Sequence, residues 1–269
     1  MSDKPEISVV IPALNEEEYL PKLLSDLKKQ VDAPQFEIIV ADGGSKDRTR
    51  ELARKAGARI VRGGNSPAIA RNGGARFARG ELVFFLDADV RVPQKFVARV
   101  YSEMERRYLD LATCHFYSTS NLEIDSLMHR FANFYLHLNR TIDPHLPGFC
   151  IFCSRRLFER VGGFDEKLRL SEDHDFAKRA SIFRPIEFVE STSVRVSIRR
   201  LRKEGRVGLS VKYLRAEIYR ILGIKGKRIE YVFGEFRKKY HGDAGSFSML
   251  ADKNLLRLEH FYRRISKKK

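Results

Sequence analysis

Asp87 and Asp89, separated by a single alanine, end the uninterrupted apolar run Leu82-Val83-Phe84-Phe85-Leu86. A run this apolar suits a strand covered on both faces, and in open α/β sheets ligands gather just beyond the carboxyl ends of such strands. Two neighbouring carboxylates repel each other unless a cation joins them, and Mg2+ or Mn2+ bridging to a substrate diphosphate is the usual partner. The plainer alternative is that the pair only caps a loop. A second acidic group, Glu172, Asp173 and Asp175, follows Ser171 at the start of a helical pattern. Carboxylates there complement the positive end of the helix dipole, so a structural explanation stands beside any chemical one. His174 lies between two of them and reads as an exposed or hydrogen-bonded bystander rather than a ligand. Cys150 and Cys153 form a C-x-x-C without a second ligand pair, and with Cys114 they sit among apolar residues, which reads as buried thiols.

The elements that must position these groups alternate regularly. Ile7 to Ile11 reads as a strand, and Asn15 with Glu18 three residues later resembles a capping box that opens a helix to about Gln30. Phe36 to Val40 is a second strand, followed by the turn Ala41 to Ser45 and a helix from near Asp47 to Ala56. Arg59 to Arg62 is a third, after which Ser66-Pro67 supplies an N-cap and a first-turn proline for a helix to about Arg79. Leu82 to Leu86 is the fourth. Pro93 opens a helix to about Tyr108, Leu111 to Tyr117 is a fifth strand, and Ile124 to Asn139 has helical spacing with an aromatic face at Phe131, Phe134 and Tyr135. Gly148 to Cys153 reads as a strand with a short helix from Arg155, and Ser171 as the cap of the acidic helix. Strands and helices in alternation imply an α/β, doubly wound, mainly parallel sheet with helices on both faces.

Composition limits the partners. In 269 residues, 43% hydrophobic, no apolar stretch approaches the roughly 20 residues needed to cross a bilayer. Met1 to Glu6 lacks the apolar region of a signal peptide, so cytoplasmic residence is the expectation, with a peripheral position on the inner face of the cell membrane open to it. Up to Val194 there are 29 Lys plus Arg against 28 Asp plus Glu; from Arg195 onward the balance is 22 against 7. Of the net charge of +16, +15 therefore belongs to the C-terminal part. That asymmetry divides the chain into residues 1–194 and a basic, mainly helical extension, 195–269, and points to a polyanionic partner. Val207, Val211, Leu214, Ile218, Ile221 and Leu222 share one helical face, suited to packing on the domain, to a dimer contact or to an anionic membrane surface.

Several pieces fall into a recognisable order: Val9-Val10-Ile11-Pro12-Ala13-Leu14-Asn15-Glu16, then Val40-Ala41-Asp42-Gly43-Gly44-Ser45, then Ala70-Arg71-Asn72-Gly73-Gly74, then Asp87-Ala88-Asp89. Gly148, Arg155-Arg156-Leu157-Phe158, Val161-Gly162-Gly163-Phe164-Asp165-Glu166 and Ser171-Glu172-Asp173-His174-Asp175 continue it. Over roughly residues 5–185 the chain resembles glycosyltransferase family 2, the inverting enzymes of GT-A fold. The resemblance implies that Pro12, Ala13, Leu14 and Glu16, with Asp42 and Gly43, hold the nucleoside. A carboxylate suits that work because it accepts from a base imide or a ribose hydroxyl, though Asp42-Gly43-Gly44 taken alone reads as a turn. Arg71 would reach base or phosphate, Asp87 and Ala88 the ribose side, and Asp89, with Asp87, the divalent Mn2+ or Mg2+ that neutralises the diphosphate leaving group. Asp173 would be the base that takes the acceptor proton, with Glu172 as an acceptor-binding group. Relatives often supply a further metal or phosphate contact after the last sheet strand; no histidine lies between His174 and His241, so Arg199 or Arg200 is expected in that role.

The expected activity is metal-dependent, inverting transfer of a sugar from a nucleotide diphosphate, UDP favoured and GDP second, to a hydroxyl or lipid-phosphate acceptor. Synthesis of cell-surface polysaccharide, glycolipid or lipid-linked glycan would use such a reaction. The competing expectation is a catalytically idle nucleotide-binding module that recruits anionic partners through the basic extension. Nucleic acid is disfavoured, because the carboxylates at 42, 87, 89, 172 and 173 repel phosphates and no base-reading motif is present.

Overall fold

The computed structural model describes residues 4–168, 171–206 and 208 of the chain. The apolar face expected from Val207 to Leu222 lies outside the described residues.

An eight-stranded sheet organises the molecule, in the order β3-β2-β1-β4-β7-β6-β8-β5. Its first half comprises β1 (Ile7–Ala13), β2 (Phe36–Asp42), β3 (Arg59–Arg62) and β4 (Leu82–Leu86), all mutually parallel. Its second half is mixed. β7 (Cys150–Ser154) runs antiparallel to both β4 and β6 (Leu111–Ser118). β8 (Glu187–Val196) is parallel to β6, and the two-residue β5 (Val90–Arg91) closes the edge antiparallel to β8. The sheet is α/β and mainly parallel as expected; β5 and β8 are additions that the sequence pattern did not disclose.

Strand alternation assigns the two faces. Ile7, Val9, Ile11 and Ala13 of β1, with Leu82, Phe84 and Leu86 of β4, join one core; Val10, Val83 and Phe85 join the other. The first core is covered by α1 (Leu20–Lys28), α2 (Thr49–Lys55), α4 (Phe96–Arg107) and α5 (Glu123–Asn139), through residues such as Leu23, Ala53, Val100 and Leu136. The second is covered by α3 (Pro67–Ala75), α6 (Arg155–Val161) and α7 (Glu172–Ser181), where Phe85, Phe158, Phe164 and Phe176 stack around one another. Among the described residues one more helix, α8 (Arg199–Glu204), follows β8.

Two cap expectations change. The helix expected to open at Asn15 starts at Leu20 behind Tyr19, with no side-chain cap. Asn15 is in the left-handed region (φ 55°); its N–H donates to Ser45 Oγ at 2.9 Å and its Oδ1 accepts from Lys46 N at 2.9 Å. Its hydrogen-bonding groups tie the loop after β1 to the loop after β2 and so do not cap a helix. Ser171 occupies the N-cap position of α7 but in the left-handed region, without a side-chain cap. Ser66 does cap α3, accepting from Ile69 N at 3.2 Å, ahead of Pro67.

Cys150 and Cys153 are buried and free, on opposite cores of β7, so they do not share a ligand. Cys150 instead meets Cys114 of β6 at 3.6 Å.

Candidate active site

The carboxyl ends of β1, β2 and β4 meet where the chain reverses its direction of winding across the sheet, the place at which open α/β sheets bind ligands. Asp42 ends β2, and its Oδ2 accepts from Gly44 N at 3.0 Å and Ser45 N at 3.1 Å. Arg50 Nε stands 3.7 Å from the same oxygen. Beside it opens a cavity of about 620 Å3 lined by Asp42, Gly43, Arg50, Arg62, Gly64 and Asn65 among others. Gly43 is required there: a Cβ would lie 2.6 Å from Gly64 O. Arg50, Arg62 and Asn65 were not singled out from sequence. The cue was available in Gly63-Gly64-Asn65, a turn at the carboxyl end of the strand next to β2.

Pro12 and Ala13 close β1, and Leu14 carries the chain to Glu16. Glu16 is buried, and its Oε2 pairs with Arg199 Nη1 at 2.6 Å. The same guanidinium reaches Asp89 Oδ2 through Nε at 2.8 Å and lies over the Tyr19 ring at 4.9 Å. Burial pushes the Glu16 carboxyl up to about 7 despite the pull of Arg199. Burial also raises Asp89, against Arg199 and with Asp87 adding to the rise. Arg200, the next residue along α8, lies close enough for its charge to favour the ionised form of Asp89. Of the two arginines expected after the last strand, Arg199 makes an ion pair with Asp89, and Arg200 acts on it through its charge.

Arg71 joins the other half of the site. It is buried on α3; Nη2 donates to Asp87 Oδ1 at 3.0 Å and to Gly148 O at 2.8 Å, and Nη1 to Glu172 Oε1 at 2.8 Å. Burial acts to lower its pKa, but Asp87, Glu172 and Asp173 overcome that and hold it charged. Glu172 itself is raised, by burial first and by Asp173 second, with Arg71 opposing. Asp173 accepts from Gly148 N through Oδ2 at 2.9 Å and from His174 N through Oδ1 at 2.9 Å. The geometry shows why position 148 is glycine: a Cβ would lie 2.5 Å from Asp173 Oδ2. His174 stands against the His145 ring at 4.3 Å, 3.6 Å from Asp173, as a neighbour of that carboxylate. Asp175 pairs with Arg179 one turn on, the structural role open to it from the start.

Asn72 fastens the turn before α7, donating to Phe164 O at 2.8 Å and accepting from Phe164 N at 2.9 Å. Among the described residues no cluster of three or more His, Cys, Asp or Glu is arranged to cage a metal ion. The fit of a divalent ion rests instead on Asp87 and Asp89, hard oxygen donors at the end of β4 and beyond it. One or two carboxylates completed by substrate phosphates is the usual protein share for Mg2+. Both carboxylates also face guanidinium groups, Asp87 that of Arg71 and Asp89 that of Arg199, so an ion there would share them with fixed positive charge.

The profile described as Glycosyl transferase family 2 matches residues 8–162. The uncharacterized glycosyltransferase EpsJ of Bacillus subtilis (strain 168) is 30% identical over 208 residues, covering 69% of this chain. This chain in turn spans 58% of the length of EpsJ. Among solved structures, residues 1–349 of S. aureus TarS in complex with UDP align with a TM-score of 0.56 at 22% identity, over 72% of this chain and 61% of that one. The mannosyltransferase PcManGT from Pyrobaculum calidifontis, in complex with GDP-Man and Mn2+, aligns with a TM-score of 0.59 at 22% identity, over 80% of this chain and 65% of that one. These likenesses at 22% identity establish the fold.

Proposed function

The chain belongs to glycosyltransferase family 2, and from that premise we propose that it transfers a sugar from a nucleoside diphosphate donor, UDP favoured and GDP second, with inversion, to a hydroxyl or lipid-phosphate acceptor. The observation that carries the reading is the joining of Asp87 to Glu172 and Gly148 through Arg71, Gly148 N in turn donating to Asp173, so that the carboxylate after β4 and those opening α7 share one network. The cavity beside Asp42 and Gly43 takes the nucleoside, Arg50 and Arg62 supplying positive charge at its wall. Pro12, Ala13, Leu14 and Ala88 form the backbone around the ribose and diphosphate. Asp87 and Asp89 would hold Mn2+ or Mg2+, which supplies Lewis-acid neutralisation of the departing diphosphate. Arg199 and Arg200 add fixed positive charge on the same side.

Asp173 accepts the proton of an attacking hydroxyl. Its Oδ2 is held by Gly148 N and its Oδ1 by His174 N, which fixes the carboxylate in direction. Glu172 is bound to Arg71 and acts on the acceptor side as a positioning group. Attack from the face opposite the diphosphate inverts the anomeric centre through an oxocarbenium-like transition state without a covalent intermediate. An ionised lipid phosphate would need little help from a base, so the importance of Asp173 reports on the acceptor.

The test is turnover with a panel of UDP- and GDP-sugars, in Mn2+ and in chelator, on the wild type and Asp173→Asn. Metal-dependent release of nucleoside diphosphate, with kcat lower by about 10^2- to 10^4-fold in the variant at unchanged donor affinity, is expected for a hydroxyl acceptor. Absence of release across the whole panel contradicts the transferase reading and favours an idle nucleotide-binding module.

A further inference from the structure

The helix α5 turns its apolar side outward. Leu127, Phe131, Phe134 and Leu138 are 55%, 68%, 64% and 59% exposed, and Ile142 just beyond the helix is 85% exposed. At 100° per residue the four helical positions fall within about 60° of one another. Asp125, Asn133 and Leu136, on the opposite side, are the residues that α5 buries. This is the reverse of an ordinary surface helix, whose apolar stripe faces the core. A continuous exposed stripe of two phenylalanines and two leucines marks an interaction surface.

Charge identifies the partner. Arg206 Nε pairs with Asp125 Oδ1 at 2.7 Å, both side chains buried, which pins the chain to the first turn of α5 two residues before the stripe. The 63 residues from 207 onward carry 16 Lys plus Arg against 6 Asp plus Glu, so the sequence that continues from this anchor on α5 is strongly basic. Exposed Arg130 borders the stripe itself. Apolar insertion flanked by basic residues is the combination that seats a helix at an anionic lipid surface.

We propose that the outward face of α5, Leu127, Phe131, Phe134 and Leu138, seats this protein on an anionic lipid bilayer, with the basic segment after Arg206 bound to the headgroups around it. The inference extends the lipid-phosphate branch of the acceptor reading above. It also connects to the site: nine residues after α5 the chain reaches Gly148, whose N–H holds Asp173 and whose carbonyl holds Arg71.

The experiment is co-sedimentation of the full chain with phosphatidylcholine vesicles, with and without phosphatidylglycerol, for the wild type and the double variant Phe131→Ser and Phe134→Ser. Alongside it, Leu138→Cys carries an environment-sensitive dye, the native Cys114, Cys150 and Cys153 being buried. The expected result is wild-type binding to anionic vesicles, weakened on the order of tenfold or more in the double variant, at unchanged thermal midpoint and unchanged UDP affinity. The dye shifts to the blue only when anionic vesicles are added. Equal vesicle binding by wild type and double variant overturns the proposal. A dye already in an apolar setting without vesicles also overturns it, the covering group being residues 207–222 if the shift survives dilution and a second copy if it does not. Retained UDP binding in any of these outcomes separates failure of the docking surface from failure of the transferase reading.

Discussion

Arg71 is a buried guanidinium with three carboxylate or carbonyl partners on three different segments: Asp87 after β4, Glu172 in α7 and Gly148 before β7. Removing one member of such a network leaves uncompensated buried charge, so Arg71→Ala should cost about 3–5 kcal/mol in urea unfolding. Glu16 yields a prediction of definite sign. Burial raises its folded-state pKa from 4.5 to about 7, so between those values the folded chain holds a proton that the unfolded chain has released. Stability should then fall as pH rises from about 4.5 to about 7 and level off above, by roughly 3 kcal/mol at most for this group. Asp89, raised by the same cause, acts in the same direction. Glu16→Gln keeps an acceptor for Arg199 without the titration. Chemical denaturation across that pH range should show a flatter profile for the variant, and an unchanged slope would contradict the assignment.

At the scale of elements, the motif glycines are packing requirements. A Cβ at Gly74 of α3 would lie 2.3 Å from Val10 Cγ1 of β1, and one at Gly73 would lie 2.8 Å from Arg62 O. Gly74→Ala should therefore push α3 off the sheet and lose about 1–3 kcal/mol, the ordinary cost of overpacking, read as a lower thermal midpoint. Displacing α3 also displaces Arg71, so donor affinity should fall with stability. The elements on the parallel side were legible in sequence because each shows its own local pattern: an apolar strand, a turn, Ser66-Pro67 opening a helix. The mixed side was not. Where β7 inserts depends on pairing with β4 and β6, contacts between residues far apart in sequence that no local pattern records. β8 was missed for a related reason. Its pairing with β6 breaks between Cys114 and His115, where the partner jumps from Val189 to Ser193, and Glu103 accepts from the N–H groups of Glu190 and Ser191. That irregularity removes the period of two that identifies a strand. Among the candidate site residues, the short motifs pointed to Asp42, Arg71, Asp87, Asp89 and Asp173, whereas the pairing of Glu16 with Arg199 spans 183 positions and emerges only in the fold.

At the scale of the molecule, the 194/195 division suggested by charge falls inside β8, and basic residues beyond it are tied into the fold: Arg199 holds Asp89 and Glu16, and Arg206 is buried against Asp125. The excess charge that begins there thus serves the sheet edge first, and the segment after Arg206 carries the rest. Among the described residues no helix is long and apolar enough to cross a membrane. The surface-borne apolar side of α5 and the basic sequence after Arg206 are the features suited to contact with lipid. Everything proposed for the reaction depends on the donor being a metal-bound nucleoside diphosphate held between Asp42 and Asp89. The most direct measurement is calorimetric titration of UDP and GDP, with and without Mn2+, into the wild type and Asp89→Ala. Metal-dependent binding of one nucleotide, lost in the variant while Asp173→Asn retains it, is the predicted result; no binding of either nucleotide to the wild type, or equal binding by Asp89→Ala, would contradict it.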